Sequence, residues 1–229
     1  MIRLHFVVEG QTEETFVNNI LAPQLSSLNI FPDVRCVQTG RKHGKVHKGG
    51  ISNYRKLKND LLRWMKEDKN SDVRFTTMID FYALPKDFPG YEQSRKQSNS
   101  QKRIAILEHA FQTDIKDYRF IPYIQCHEFE ALLFSDPSKF EFAYPNKKDE
   151  IKQLIAIRSN FKSPEDINEG KDTAPSKRIK KIIPEYNKVS AACNIAMQIS
   201  LVKIRKENHH FNEWLNKLEQ LAEIKIPLV

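Results

Sequence analysis

Three clusters of acidic residues follow apolar runs of the kind that form buried strands. Glu9 stands in Val7-Val8-Glu9-Gly10-Gln11-Thr12-Glu13-Glu14, after the apolar run Ile2 to Val8. Asp80 closes the run Val73 to Ile79, and His127, Glu128 and Glu130 follow the run Arg119 to Gln125. A carboxylate at the carboxyl end of a strand in an open sheet lies where such sheets place their ligands. In a parallel sheet these three strand ends share one rim, and acids gathered there repel one another unless a cation sits among them. Mg²⁺ or Mn²⁺ takes oxygen ligands, keeps some waters and bridges to phosphate. Such an ion polarises a phosphodiester and activates water. The competing assignments are a turn residue or helix cap for Glu9 and an ordinary strand-end residue for Asp80. For the third cluster the competing assignment is a helical first turn that complements the helix dipole, with Phe129, Leu132 and Leu133 as core. At the start of a helix His127 and Glu130 share a face, whereas Glu128 and Glu130 do not. His127 suits a hydrogen-bonding group behind a ligand better than a ligand of a hard cation.

The elements that must position these acids follow from periodicity. Gly10 permits a sharp turn after the first strand, Thr12 is placed to cap the following helix, and Glu13 and Glu14 suit its positive end. Phe16, Val17, Ile20, Leu21 and Leu25 recur at helical spacing despite Pro23. Asp33 to Thr39 reads as a short strand. Gly40 to Gly50 reads as a basic, glycine-punctuated loop whose Lys45 and Lys48 are placed to meet phosphates, or as a solvated loop. It lacks the Gly-Lys-Ser/Thr of a Walker A loop. A helix carrying Tyr54, Leu57, Leu61, Leu62 and Met65 leads to the strand that ends at Asp80. A polar loop from Phe81 to Ser100, a helix with Ile104, Leu107, Ala110 and Phe111, and a strand from Arg119 to Gln125 come next. This alternation predicts an α/β fold with a mainly parallel sheet flanked by helices.

The remainder reads as helices over Lys148–Asn160, Pro175–Ile183, Lys188–Arg205 and Phe211–Ala222. Residues 1–140 are therefore expected to form the α/β domain and 141–229 a helical C-terminal extension packed on it. Lys177, Arg178, Lys180 and Lys181 make a second basic cluster at a helix start, and His209-His210 marks a helix boundary. Trp64 and Trp214 fall within apolar helical patterns and are expected in the core. No Ser-His-Asp elbow and no dinucleotide-binding glycine pattern occurs.

With 229 residues, 40% of them apolar, the chain can bury a real core. Lys and Arg outnumber Asp and Glu by 37 to 29, a formal charge of +8. This excess suits a polyanionic partner, and equally a set of solvated lysine faces. The three cysteines are widely spaced and form no CxxC pair, as expected of reduced, buried thiols in a cytoplasmic protein. No apolar run approaches the ~20 residues needed to cross a bilayer.

Val8-Glu9-Gly10-Gln11-Thr12-Glu13 resembles the opening motif of Toprim domains, found in topoisomerases, primases and overcoming-lysogenization-defect nucleases. Several further blocks together resemble an uncharacterised Toprim-like family. They are Met78-Ile79-Asp80-Phe81-Tyr82, Asp87-Phe88-Pro89-Gly90, Pro122 to Asp136 with its His127-Glu128-Phe129-Glu130-Ala131-Leu132-Leu133-Phe134 core, Ser163-Pro164-Glu165, Ala174 to Ile179, and Phe211-Asn212-Glu213-Trp214-Leu215. The resemblance implies a Toprim-like fold and a Mg²⁺-dependent (or Mn²⁺-dependent) nuclease or related phosphodiester-processing enzyme acting on DNA or RNA. In it, Glu9 matches a strand-end glutamate and Asp80 the first acid of an Asp-x-Asp pair. Tyr82 stands at the second acid, so either Asp87, Glu128 or Glu130 supplies the missing oxygen ligand, with Glu128 the first choice, or the site binds metal weakly. It also implies work beside an ATPase subunit in an anti-phage defence system. The alternative is a catalytically weak module of the same fold that binds nucleic acid or a partner protein.

Overall fold

The computed structural model describes residues 1–42, 45–48, 51, 53–167 and 173–223, with the backbone alone described for 38–42 and 45–48. The fold is α/β, as expected, with a mainly parallel sheet flanked by helices and a helical C-terminal region. The chain divides into two compact units, one of residues 1–124 with 214–229, the other of residues 125–213. The boundary drawn at residue 140 from sequence thus falls inside the second unit, and the last helical turns group with the sheet.

In the first unit β1 (Ile2–Val8) is followed by α1 (Gln11–Phe16), a π-helical turn (Val17–Leu21) and α2 (Ala22–Ser27). The π turn explains how a helix tolerates Pro23. Proline has no N–H and clashes with the carbonyl four residues back, and here the Ala22 N–H already bonds Val17 O, five residues back. The helix then delivers β2 (Ile30–Cys36), three residues earlier than the expected start. The basic segment after it is a two-stranded antiparallel hairpin, β3 (Gln38–Lys42) and β4 (Lys45–Lys48), rather than the expected loop. Backbone pairing, which leaves no apolar alternation in sequence, forms it. Next come α3 (Tyr54–Glu67) and β5 (Val73–Asp80), whose eight residues are all buried. The long polar stretch after β5 carries a 3₁₀ turn (Phe81–Ala83) and α4 (Tyr91–Ser94), and leads into α5 (Ser100–Ile115). The expected strand 119–125 is two short pieces, β6 (Phe120–Ile121) and β7 (Ile124–Gln125).

The strand order is β2-β1-β5-β6, with β7 also pairing with β5. β1 runs parallel to both of its neighbours, in register Val8↔Cys36 and Val8↔Met78. Because the chain moves outward from β1 to β2 and then back across β1 to β5, right-handed crossovers place α1–α2 and α3 on opposite faces. Side chains agree. His5 and Phe75 lie against Trp64 of α3 at 4.2 and 6.2 Å. On the other face Phe6 meets Trp214 edge-on at 6.0 Å, and Tyr123 stacks on the same indole at 4.0 Å. The Trp214 Nε1–H donates to Thr76 Oγ1 at 2.9 Å. Both tryptophans are core, as expected. β2 is an edge strand. The bonds Ile2 N–H to Asn29 O and Val37 N–H to Val8 O fix which of its amides face β1. Pro32 therefore stands where the donors point outward, which removes a donor from the open edge.

The second unit is helical: α6 (Lys148–Ser159), α7 (Pro175–Ile182), α8 (Lys188–Ile199), α9 (Leu201–Glu207) and the first turn of α10 (His209–Glu219). At its centre is a 3₁₀ segment, Phe129–Ser135, every residue of which is buried. α6, α7, α8 and α9 all pack on it. The expected single helix from Lys188 to Arg205 breaks at Ser200, where φ is 75° and the hydroxyl caps α9 by accepting from Lys203 N–H. His209 does mark a helix start. Among the described residues no helix is long and apolar enough to cross a membrane. All three cysteines are buried, and none is in a disulfide.

Candidate functional site

The reversal of direction at β1 makes a crevice between the carboxyl ends of β1 and β5, the position where open α/β sheets bind ligands. Glu9 follows β1 directly and Asp80 is the last residue of β5. The Glu9 N–H continues the ladder by donating to Met78 O at 3.2 Å, and Glu9 Oε2 accepts the Asp80 N–H at 3.1 Å. The two acids expected to work together are thus joined at the mouth of the crevice. Asp80 is 7% exposed, and Glu13, in the first turn of α1, only 2%.

Two local expectations are corrected. Gly10 is extended (φ −159°), a conformation open to any residue, so the chain turn there does not depend on glycine. Thr12 lies inside α1, whose N-cap is Gly10, a residue with no side chain to offer. The left-handed glycine of the chain's described part is Gly90, at φ 77°.

The other expected ligands are engaged elsewhere. In the first unit Asp87 accepts the Tyr54 N–H at 3.1 and 3.2 Å through its two oxygens, adding to the Asn53 cap of α3. In the second unit Glu128 Oε1 accepts the Ser176 N–H in the first turn of α7, and buried Glu130 lies 3.4 Å from Lys188 Nζ. Neither Glu128 nor His127 begins a regular α-helix: Glu128 is extended and His127 left-handed at φ 61°. The His127 ring is buried, and its Nε2 lies 2.7 Å from Glu165 O. The carbonyl oxygen only accepts, so Nε2–H is the donor, and burial holds this imidazole below its ordinary pKa. His127 is thus a hydrogen-bonding group whose partner here is a backbone carbonyl. The Lys45 and Lys48 side chains lie outside the described residues. Among the described residues no group of three or more His, Cys, Asp and Glu side chains gathers closely enough to hold a metal ion.

Two buried acids lie outside the set of expected site residues. One is Glu13. The other is Glu165, 1% exposed, whose two oxygens accept the His210 and Phe211 N–H groups at the start of α10. The Ser163-Pro164-Glu165-Asp166 capping box was a readable sign of a helical turn there. Nothing local revealed its long-range partners.

A family model described as "Domain of unknown function (DUF4276)" matches residues 8–219. The chain belongs to this family. The match opens at Val8, just before Glu9, and closes at the end of α10, so it takes in parts of both units. No curated protein and no solved structure matches the chain.

Proposed function

We propose that this DUF4276 protein is a Mg²⁺- or Mn²⁺-dependent nuclease or related phosphodiester-processing enzyme with Glu9 and Asp80 at its reacting centre. The observation that carries this reading is the juxtaposition of the two acids at the sheet's switch point. Mg²⁺ is commonly held by one or two carboxylates, with waters and substrate phosphates filling its remaining positions. The donor set of Glu9 and Asp80 fits that minimum, and Glu13 is the nearest further acid in sequence on the same rim. When bound, the ion would supply charge stabilisation at a phosphoryl oxygen and a more acidic water.

The protein's own contribution is orientation and charge. The Asp80 N–H fixes one oxygen of Glu9, so this carboxylate presents itself in one orientation. The basic hairpin β3–β4 leaves β2 after Cys36, which pairs with Val8 beside Glu9, so it departs from the same rim. It carries Lys45 and Lys48, whose charges suit the nonbridging oxygens of DNA or RNA.

The absence of a third ligand among the described residues, with Tyr82 where the resembled pattern has an acid, favours a second reading. In that reading the domain is a catalytically weak nucleic-acid- or partner-binding module working with an ATPase subunit in phage defence. Incubation with RNA, tRNA and plasmid DNA in Mg²⁺ or Mn²⁺, with and without the neighbour-encoded ATPase, separates the two. Cleavage that is lost in both Glu9→Gln and Asp80→Asn supports the enzyme. No cleavage of any substrate, or full activity in either variant, overturns it.

A further inference from the structure

Away from the strand ends, α3 covers β1 and β5 and reaches Arg35 of the edge strand β2, but leaves Phe31 and Asp33 of that strand open. There Arg3, His5, Phe31, Asp33, Trp64 and Asp68 help to line an open cleft of about 410 Å³. That volume lies within the range of small-molecule sites.

The chemistry is set by His5, whose side chain is 6% exposed and packs on Trp64. Its Nε2 lies 3.1 Å from Asp68 Oδ2, and Asp68 also receives two bonds from the Arg3 guanidinium. Against the cost of burial, those partners hold Asp68 below the usual carboxylate range. An ionised Asp68 only accepts, so the His5 proton sits on Nε2. Burial keeps the ring neutral despite the charges of Asp33 and Asp68, while Arg3 acts in the same direction as burial. Nδ1 therefore carries a lone pair. It is buried, makes no hydrogen bond, and lies 3.6 Å from Oδ2 of Asp33, whose side chain is 59% exposed. Two acceptors stand side by side with no proton between them, an arrangement that calls for a donor.

The nearby cations are already engaged. Arg3 binds Asp68 and Asp72, and Arg35 binds Glu67 at 2.7 Å while its guanidinium lies over Trp64 at 4.1 Å. We propose that this cleft binds a small organic cation, an amine or guanidinium, whose N–H groups bridge His5 Nδ1 and the Asp33 carboxylate. The apolar body of the ligand lies along Phe31, which is 43% exposed. The site is independent of the Glu9–Asp80 centre.

Agmatine and putrescine are the probes, titrated into the whole protein at pH about 7.5, above the histidine range, and followed by calorimetry and by the ¹⁵N resonances of His5. The expected result is saturable binding of at least one probe, a shift of the Nδ1 resonance as it accepts a hydrogen bond, and at least about tenfold weaker binding in Asp33→Asn. Asp33 is exposed, so this variant should melt like the wild type. Three results would each overturn the proposal: no binding of either probe at about 10 mM, well above the millimolar limit of weak specific affinity; equal affinity in Asp33→Asn; or a His5 ring protonated on both nitrogens in the free protein.

Discussion

The Asp80 N–H donates to Glu9 Oε2 at 3.1 Å, so the acid that follows β1 is held against the strand that ends in the second acid. This bond separates charge from structure in the candidate site. A glutamine at position 9 keeps an acceptor for the Asp80 N–H and loses the charge; an alanine loses both. Glu9→Gln should therefore unfold within about 0.5 kcal/mol of the wild type in urea, while Glu9→Ala should lose about 1–2 kcal/mol. Equal stability of the two variants would show that the bond contributes nothing.

Trp214 makes a similar division possible in the core of the first unit. Phenylalanine there retains a ring over Tyr123 but loses the bond to Thr76 Oγ1. Trp214→Phe should cost about 1 kcal/mol, and Trp214→Ala about 3–5 kcal/mol through the cavity left beside Phe6 and Tyr123. Denaturant unfolding followed by far-UV circular dichroism measures both. A Trp214→Ala variant as stable as wild type would contradict the grouping of residues 214 onward with the sheet.

β1 and β5 were readable because they are buried and apolar, and the acids at their ends interrupt those runs. Asp80 is visible from sequence for this reason alone. The pairing of β3 with β4 was not readable, since charged residues and glycines hide antiparallel pairing. The break at Ser200 was hidden by continuous helical periodicity, and only the left-handed backbone there reveals it. Long-range polar contacts were the least legible. His5 meets Asp68 across 63 residues, and Glu165 meets Phe211 across 46. Such pairs leave no spacing pattern. The same holds for Asp87 and Glu128, whose carboxylates read equally well as ligands until the N–H groups of Tyr54 and Ser176 are seen opposite them.

Acid should weaken the fold before the carboxylates protonate. Burial holds His5 and His127 below the ordinary histidine value of 6.5. Between their folded pKa values and 6.5 the unfolded chain binds more protons, so stability rises with pH through that window and falls as acid enters it. Asp72, held low by Arg3, and Asp68 lose their contributions only as pH falls through and below 3.8. The urea midpoint should be flat from about pH 8 to 7 and decline below about pH 6.5. A midpoint that stays level to about pH 5 would contradict the neutral, buried state of both rings.

Gly90 tests the polar stretch between β5 and α5. Its φ is 77°, and a Cβ there would lie 2.9 Å from Ala110 Cβ of α5. Both the left-handed backbone and the contact oppose a side chain, so Gly90→Ala should destabilise by about 1–3 kcal/mol. A thermal melt unchanged from the wild type would show that α5 and this turn give way freely.

The acidic centre is tested most directly by an anomalous difference map from crystals grown with Mn²⁺ and an uncleavable oligonucleotide. The expected result is a peak about 2.0–2.2 Å from carboxylate oxygens of both Glu9 and Asp80, absent from crystals of Asp80→Asn. A map with no peak between these two acids, or with its Mn²⁺ peak at other residues, would contradict the account.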